Sequence, residues 1–132
     1  LALVAPMIPV PGETPGEWWT TSGQSEGRDD DAPSDVMEVF MHDVAPEVVA
    51  DVFARGEPRQ ADRPFADPWP LDAWPAVPTR VLAARHDRLF PLPFMQRLSR
   101  ERLGIEPDVI DSGHLPALAR PDELVSWLLA RK

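Results

Sequence analysis

Cysteine is absent from the sequence, which removes disulfide frameworks and thiolate chemistry and fits the reducing conditions of a cytoplasmic location. Long apolar runs are lacking as well. The longest, residues 1–10, is interrupted by Pro6 and Pro9 and is far shorter than the roughly 20 residues a membrane helix needs, so no membrane partner is expected. No charged opening followed by a small-residue cleavage site marks a secretory leader. Positive charge is scarce: 13 Lys and Arg stand against 22 Asp and Glu, a formal net charge of −9. Most of such a surface would repel nucleic acid, which is therefore not an expected partner.

What is present suits one folded unit. The 132 residues are 43% hydrophobic and 27% charged, enough for a single modest core and not for two domains. The chain opens on Leu1 inside an apolar run, so it reads as the later part of a longer protein whose N-terminal half is its first partner. Residues 1–5 are continuously apolar, the pattern of a strand buried on both faces of a parallel sheet. Residues 9–33 shift to Pro, Gly, Ser, Thr and acid, with a cluster at Asp29, Asp30 and Asp31, and read as loop in which Trp18 and Trp19 are the exceptions. Asp35 is placed to cap a helix with Val36, Val39 and Phe40 on its apolar side. A second helix opens at Pro46, turns Val48, Val49, Val52 and Phe53 to one face, and stops at Gly56. Residues 62–78, punctuated by Pro64, Pro68, Pro70, Pro75 and Pro78, form a rigid wrapped connection carrying Phe65, Trp69 and Trp74.

Beyond Pro78 the pattern changes to strand and helix in alternation. Residues 79–84 are a short β-prone run followed by the polar turn Arg85-His86-Asp87-Arg88. Phe94, Met95 and Leu98 lie at helical spacing within residues 93–103, and Gly104 with Ile105 supplies a C-terminal cap. Residues 108–111 form another short strand, residues 112–119 a loop, and residues 121–130 a last helix with Leu124, Val125, Leu128 and Leu129 facing inward. This order implies an α/β fold with a parallel sheet, in which functional residues gather on loops at the carboxyl ends of strands. Asp87 and His114 both stand on such loops.

A carboxylate that accepts the Nδ1 proton of an imidazole fixes its tautomer and leaves Nε2 free to take a proton from a hydroxyl nucleophile. The 27 residues between Asp87 and His114 are what one helix and one strand require. Spacing alone leaves a plainer reading open, in which Asp87 caps a turn and His114 is held by backbone groups. Asp111 is a rival for the acid, although a carboxylate three residues away in a loop reaches His114 poorly. His42-Asp43 and His86-Asp87 with His114 could suggest zinc, but their spacing matches no tight ligand motif, so no metal and no other cofactor is expected. His42 is read instead as a polar residue between two helices.

The segments VLAARHDRLFP and VIDSGHLPALARPDEL resemble the end of an α/β-hydrolase. In that family the triad acid follows the penultimate strand, a proline soon follows it, and the histidine comes as Gly-His after the last strand. Asp87, Pro91, Gly113 and His114 fill those positions. The stretch from Phe90 to Phe94 is similar to the branch containing methylesterases and hydroxynitrile lyases, and LALVAPMIP resembles the strand leading into a cap. The resemblance implies about three parallel strands with flanking helices: residues 1–10 as core strand and exit, 11–76 as a cap insert, and 77–132 as the C-terminal core. It further implies Asp87 and His114 as catalytic residues, Trp18 and Trp19 as substrate-binding residues beneath the cap, and a small ester or acyl compound as substrate. The string Gly23-Gln24-Ser25-Glu26-Gly27 spells G-x-S-x-G inside the stretch read as loop and not between a strand and a helix, so it is not read as the nucleophile elbow; the serine and the oxyanion donors are expected outside these residues, and the 132 residues alone are expected to be inactive. Ala84 stands where relatives often have glycine. Leu115 stands where the lyases have lysine, which favours ester hydrolysis over cyanohydrin cleavage. A non-catalytic interaction or regulatory piece of the same fold is the alternative.

Overall fold

The computed structural model describes residues 1–25, 35–56, 59 and 61–130; the acidic cluster at residues 29–31 lies outside them. The elements run β1 (Ala2–Val4), α1 (Pro15–Thr21), α2 (Val36–Phe40), α3 (Pro46–Ala54), α4 (Arg63–Ala66), β2 (Arg80–Ala84), α5 (Leu92–Leu103), β3 (Asp108–Ile110), α6 (Pro116–Ala119) and α7 (Pro121–Leu129). The three strands form one parallel sheet in the order β1-β2-β3. Leu3 pairs with Val81, and Leu82 pairs with Asp108. This is the α/β sheet with flanking helices expected from the sequence.

The central strand explains the rest of the packing. Side chains alternate across a strand, so Val81 and Ala83 point to one face and Leu82 and Ala84 to the other. The first face packs with Ile8, Trp18, Phe90, Met95 and Leu98, and the second with Ile110 and Leu124. Both faces of β2 are covered, which is why Val81 to Ala84 reads as an unbroken apolar run. β1 departs from expectation: Leu1 and Ala2 are exposed and Leu3 and Val4 only half-buried. Among the described residues β1 pairs with β2 alone and no strand lies on its other side.

Several helices correct the sequence reading. Residues 15–21, expected as loop, form α1, and short helices α4 and α6 form at residues 63–66 and 116–119, within a stretch read as connection and another read as loop. Thr14 accepts from the Glu17 N–H at 3.2 Å while the Glu17 carboxylate accepts from the Thr14 N–H at 2.9 Å, a reciprocal capping box with Pro15 in the first turn. α7 buries Leu124 and half-buries Trp127, whereas Val125, Leu128 and Leu129 are exposed, the last at 76%. The helix rests on the sheet through one narrow side, so only its Leu124 and Trp127 row meets Leu82, Ala84 and Ile110. α3 likewise leaves Phe53 exposed and Val48, Val49 and Val52 half-covered. No helix among the described residues is long and apolar enough to cross a membrane.

A buried ion pair ties the α1 region to α5. Arg102 donates to both oxygens of Glu13, at 2.6 and 3.1 Å, and to the Ile8 carbonyl at 2.7 Å. Burial of the Glu13 carboxyl pushes its pKa up. Hydrogen bonds from Arg102, the Thr21 hydroxyl and the Val10 N–H, with the Arg102 charge, outweigh that and hold it below the usual carboxylate value.

Candidate active site

The carboxyl ends of β2 and β3 build the site. Past Ala84 the two chains stay joined by backbone: the Arg85 N–H donates to the Ile110 carbonyl and the His86 N–H to the Ser112 carbonyl, each at 2.9 Å. Asp87 then turns inward and its side chain is wholly buried. One oxygen, Oδ1, accepts the N–H groups of Leu89 and Phe90, both at 2.8 Å, closing the turn that leads to Pro91 and α5. The other, Oδ2, lies 2.8 Å from Nδ1 of His114. Asp87 thus closes a turn and meets the histidine at once, and the plainer reading of it describes one of its two oxygens.

His114 is held on three sides. Its side chain is 14% exposed, and Phe40 and Phe90 pack nearly perpendicular to the imidazole at centroid distances of 5.2 and 5.1 Å. An ionised carboxylate can only accept, so Nδ1 carries the hydrogen toward Asp87 and a neutral ring keeps its lone pair on Nε2. Among the described residues nothing hydrogen-bonds Nε2. Asp111, the rival acid, points elsewhere: it meets Nε2 of the exposed His86 at 2.9 Å and Nε of Arg85 at 3.2 Å. Among the described residues no group of three or more acidic or histidine side chains is placed to hold a metal ion.

Trp18 and Trp19 do not stand together at the histidine. Trp18 is fully buried in the main core cluster, its Nε1 donating to the Ile8 carbonyl at 3.1 Å. It touches Trp19, Phe90 and Phe94 at centroid distances of 5.3, 5.3 and 5.8 Å. Trp18 itself lines a groove of about 380 Å³, together with Met7, Pro9 and Trp69 among others. Trp19 is half-buried and lies 5.9 Å from Phe90. Phe90 links both tryptophans to His114. Trp69 and Trp74 stack on each other at 4.9 Å, and Trp74 donates to the Pro9 carbonyl at 2.9 Å.

Three contributors escape the sequence reading: Phe40 and Phe90, which grip the imidazole, and Asp43, which accepts the Gly113 N–H at 2.7 Å. Their signals were weak. Phe40 is one of three residues on the apolar side of its helix, Phe90 is one more apolar residue in the proline-flanked stretch after Asp87, and nothing in spacing joins Asp43 to Gly113 across 70 residues.

Comparison with known proteins adds the family. The profile of the alpha/beta hydrolase family matches residues 1–127. Among solved structures, a pyrethroid hydrolase from Sphingobium faniae JZ-2 aligns with 97% of this chain and 58% of its own length, at 20% identity and a TM-score of 0.64. The structure of the pyrethroid hydrolase PytH with BIF aligns over the same shares at 19% identity and a TM-score of 0.63. At these identities the likeness shows the fold, and the chain spans less than two thirds of the length of either structure. A search of curated proteins finds no match.

Proposed function

Because the chain belongs to the alpha/beta hydrolase family, we propose that Asp87 and His114 are the acid and the base of a serine-dependent hydrolase acting on a carboxylic ester or a related acyl compound. The 2.8 Å contact between Nδ1 of His114 and Oδ2 of the buried Asp87 carries this reading. With Nδ1–H committed to the carboxylate, Nε2 accepts the proton of a hydroxyl nucleophile and later returns it to the leaving alcohol, and Asp87 stabilises the imidazolium in between. The nucleophile and the oxyanion donors come from a segment outside these 132 residues: the one G-x-S-x-G string, Gly23-Gln24-Ser25-Glu26-Gly27, places Ser25 after helix α1 and not at the end of a strand, and its hydroxyl donates to the Trp19 carbonyl at 3.1 Å. Residues 11–76 act as the cap. Within it Phe40 and, through Phe90, Trp19 supply an apolar wall for the acyl or alcohol group, with Trp18 behind them as its fixed support. The similar structures are named as pyrethroid hydrolases, which agrees with a hydrolytic reading.

The test compares the complete gene product with its His114→Ala variant on a generic aryl ester. Turnover should fall by at least the roughly 10²- to 10⁴-fold typical of general acid-base catalysis. His86→Ala, which removes an exposed imidazole bonded to Asp111, should leave turnover within about twofold of the parent. Undiminished hydrolysis in His114→Ala would instead favour a non-catalytic role for this part of the fold.

A further inference from the structure

We propose that Asp43, in the turn between α2 and α3, is a positioning residue that sets His114 onto Asp87; the proposal rests on the catalytic reading above and adds to it. Residues immediately before each member of the pair are gripped by neighbouring residues of that turn. His86 precedes Asp87, and its carbonyl accepts from Nε2–H of His42 at 3.0 Å. Gly113 precedes His114, and its N–H donates to Oδ2 of Asp43 at 2.7 Å. One step further along, the Arg88 guanidinium donates to the Glu38 carbonyl at 3.0 Å. The turn therefore spans both strand-end loops from the outside, while Asp87 and His114 join them from within.

Two observations single out Asp43. Its carboxylate does not serve its own helix, since the residue capping α3 is Ala45 and α3 has no side-chain cap. It is aimed at the loop of His114, and its second oxygen, Oδ1, is buried without a hydrogen-bond partner among the described residues. Natural folds rarely leave a buried acceptor unpaired, and such an exception calls for a reason. The fit at Gly113 supplies one: a Cβ built there would stand 2.5 Å from Oδ1 of Asp43 and 2.9 Å from Nε2 of His42. The Asp43 carboxylate and the His42 imidazole occupy the space that a side chain at Gly113 would take, so a larger residue there would have to push them aside. Glycine in the Gly-His pair suits this contact, and the hydrogen bond at the preceding residue helps to set where the imidazole begins.

A structural role alone would affect the amount of folded protein, while a positioning role affects turnover per folded molecule. In the complete gene product, Asp43→Ala should lower kcat by roughly 10- to 100-fold, the scale on which a misplacement near 1 Å acts, with KM changed less than about twofold. Asp43→Asn keeps an oxygen for the Gly113 N–H and should recover most of kcat. Gly113→Ala should lower kcat in the parent and cost less on top of Asp43→Ala, because Oδ1 is then gone. The low-field NMR resonance of the His114 Nδ1–H should shift or broaden in Asp43→Ala and return in Asp43→Asn. Parental kcat and an unmoved resonance in Asp43→Ala would overturn the proposal, as would an activity loss that only follows loss of folded protein. If His114→Ala keeps full activity, the catalytic reading fails by itself; the resonance still decides whether Asp43 sets the imidazole.

Discussion

Replacing Asp87 by asparagine tests the site where its geometry is most restrictive. The carboxylate accepts three hydrogen bonds at 2.8 Å: two from Leu89 and Phe90 at Oδ1 and one from His114 at Oδ2. Asparagine has one accepting oxygen and one donating NH₂, and it can sit in two ways. With its oxygen toward His114, the NH₂ faces two backbone N–H groups and both are left unpaired, at a cost of about 1–3 kcal/mol each. With its oxygen toward Leu89 and Phe90 those bonds survive, and the NH₂ faces Nδ1 of His114. The second arrangement wins by about 2–6 kcal/mol from the same penalties. It forces the imidazole to accept at Nδ1 and to carry its hydrogen on Nε2, where it can no longer take a proton. The expected result is a fall in kcat of about 10⁴-fold, the scale of an inverted tautomer in such a triad, with KM and thermal stability close to the parent. Ester hydrolysis by the complete gene product measures the first, and ¹⁵N shifts of His114 read the tautomer directly. An Asp87→Asn variant with more than a tenth of parental kcat, or a His114 that still carries hydrogen on Nδ1, would refute the reasoning.

Other expectations follow from the packing. Arg102→Met leaves the Glu13 side chain, 3% exposed, as an uncompensated buried charge and should destabilise by about 3–5 kcal/mol; adding Glu13→Gln should recover part of that in urea unfolding, and no recovery would argue against the pair. Glu13 is held below its ordinary value of 4.5 in the folded state, so the folded protein binds fewer protons there than the unfolded chain does. The stabilisation is present above the unfolded value and lost as pH falls through the folded one. Parent and Glu13→Gln stabilities should therefore converge on acidification, and a gap that widened instead would reverse the sign assigned to Glu13. Trp19→Ala, next to Phe90, should raise KM for bulky aryl esters more than for acetyl esters, and an equal change for both would remove it from the pocket wall.

The sequence alone determined the parts of the fold that depend on neighbouring residues. The apolar run from Val81 to Ala84, the helix closed by Gly104 in its left-handed conformation at φ 68°, and the Asp35 cap on α2, with bonds of 2.7 and 3.4 Å from Met37 and Glu38, are local consequences of side-chain period and backbone chemistry. α1 was legible in the same way, through Thr14, Pro15 and Glu17, but the surrounding proline and glycine outweighed that signal. Placing Asp87 and His114 after consecutive parallel strands was also enough to bring them to one rim, because a single crossover leaves both at the carboxyl ends. Tertiary structure decided what depended on partners distant in the chain. It set which side of α7 meets the sheet, sent Asp111 to His86 instead of His114, and drew Trp18 into the core. It also seated Asp43 against Gly113 across 70 residues. The physical reason is that periodicity records that a side chain faces inward, while the identity of what it meets is settled only when separate elements share one small volume.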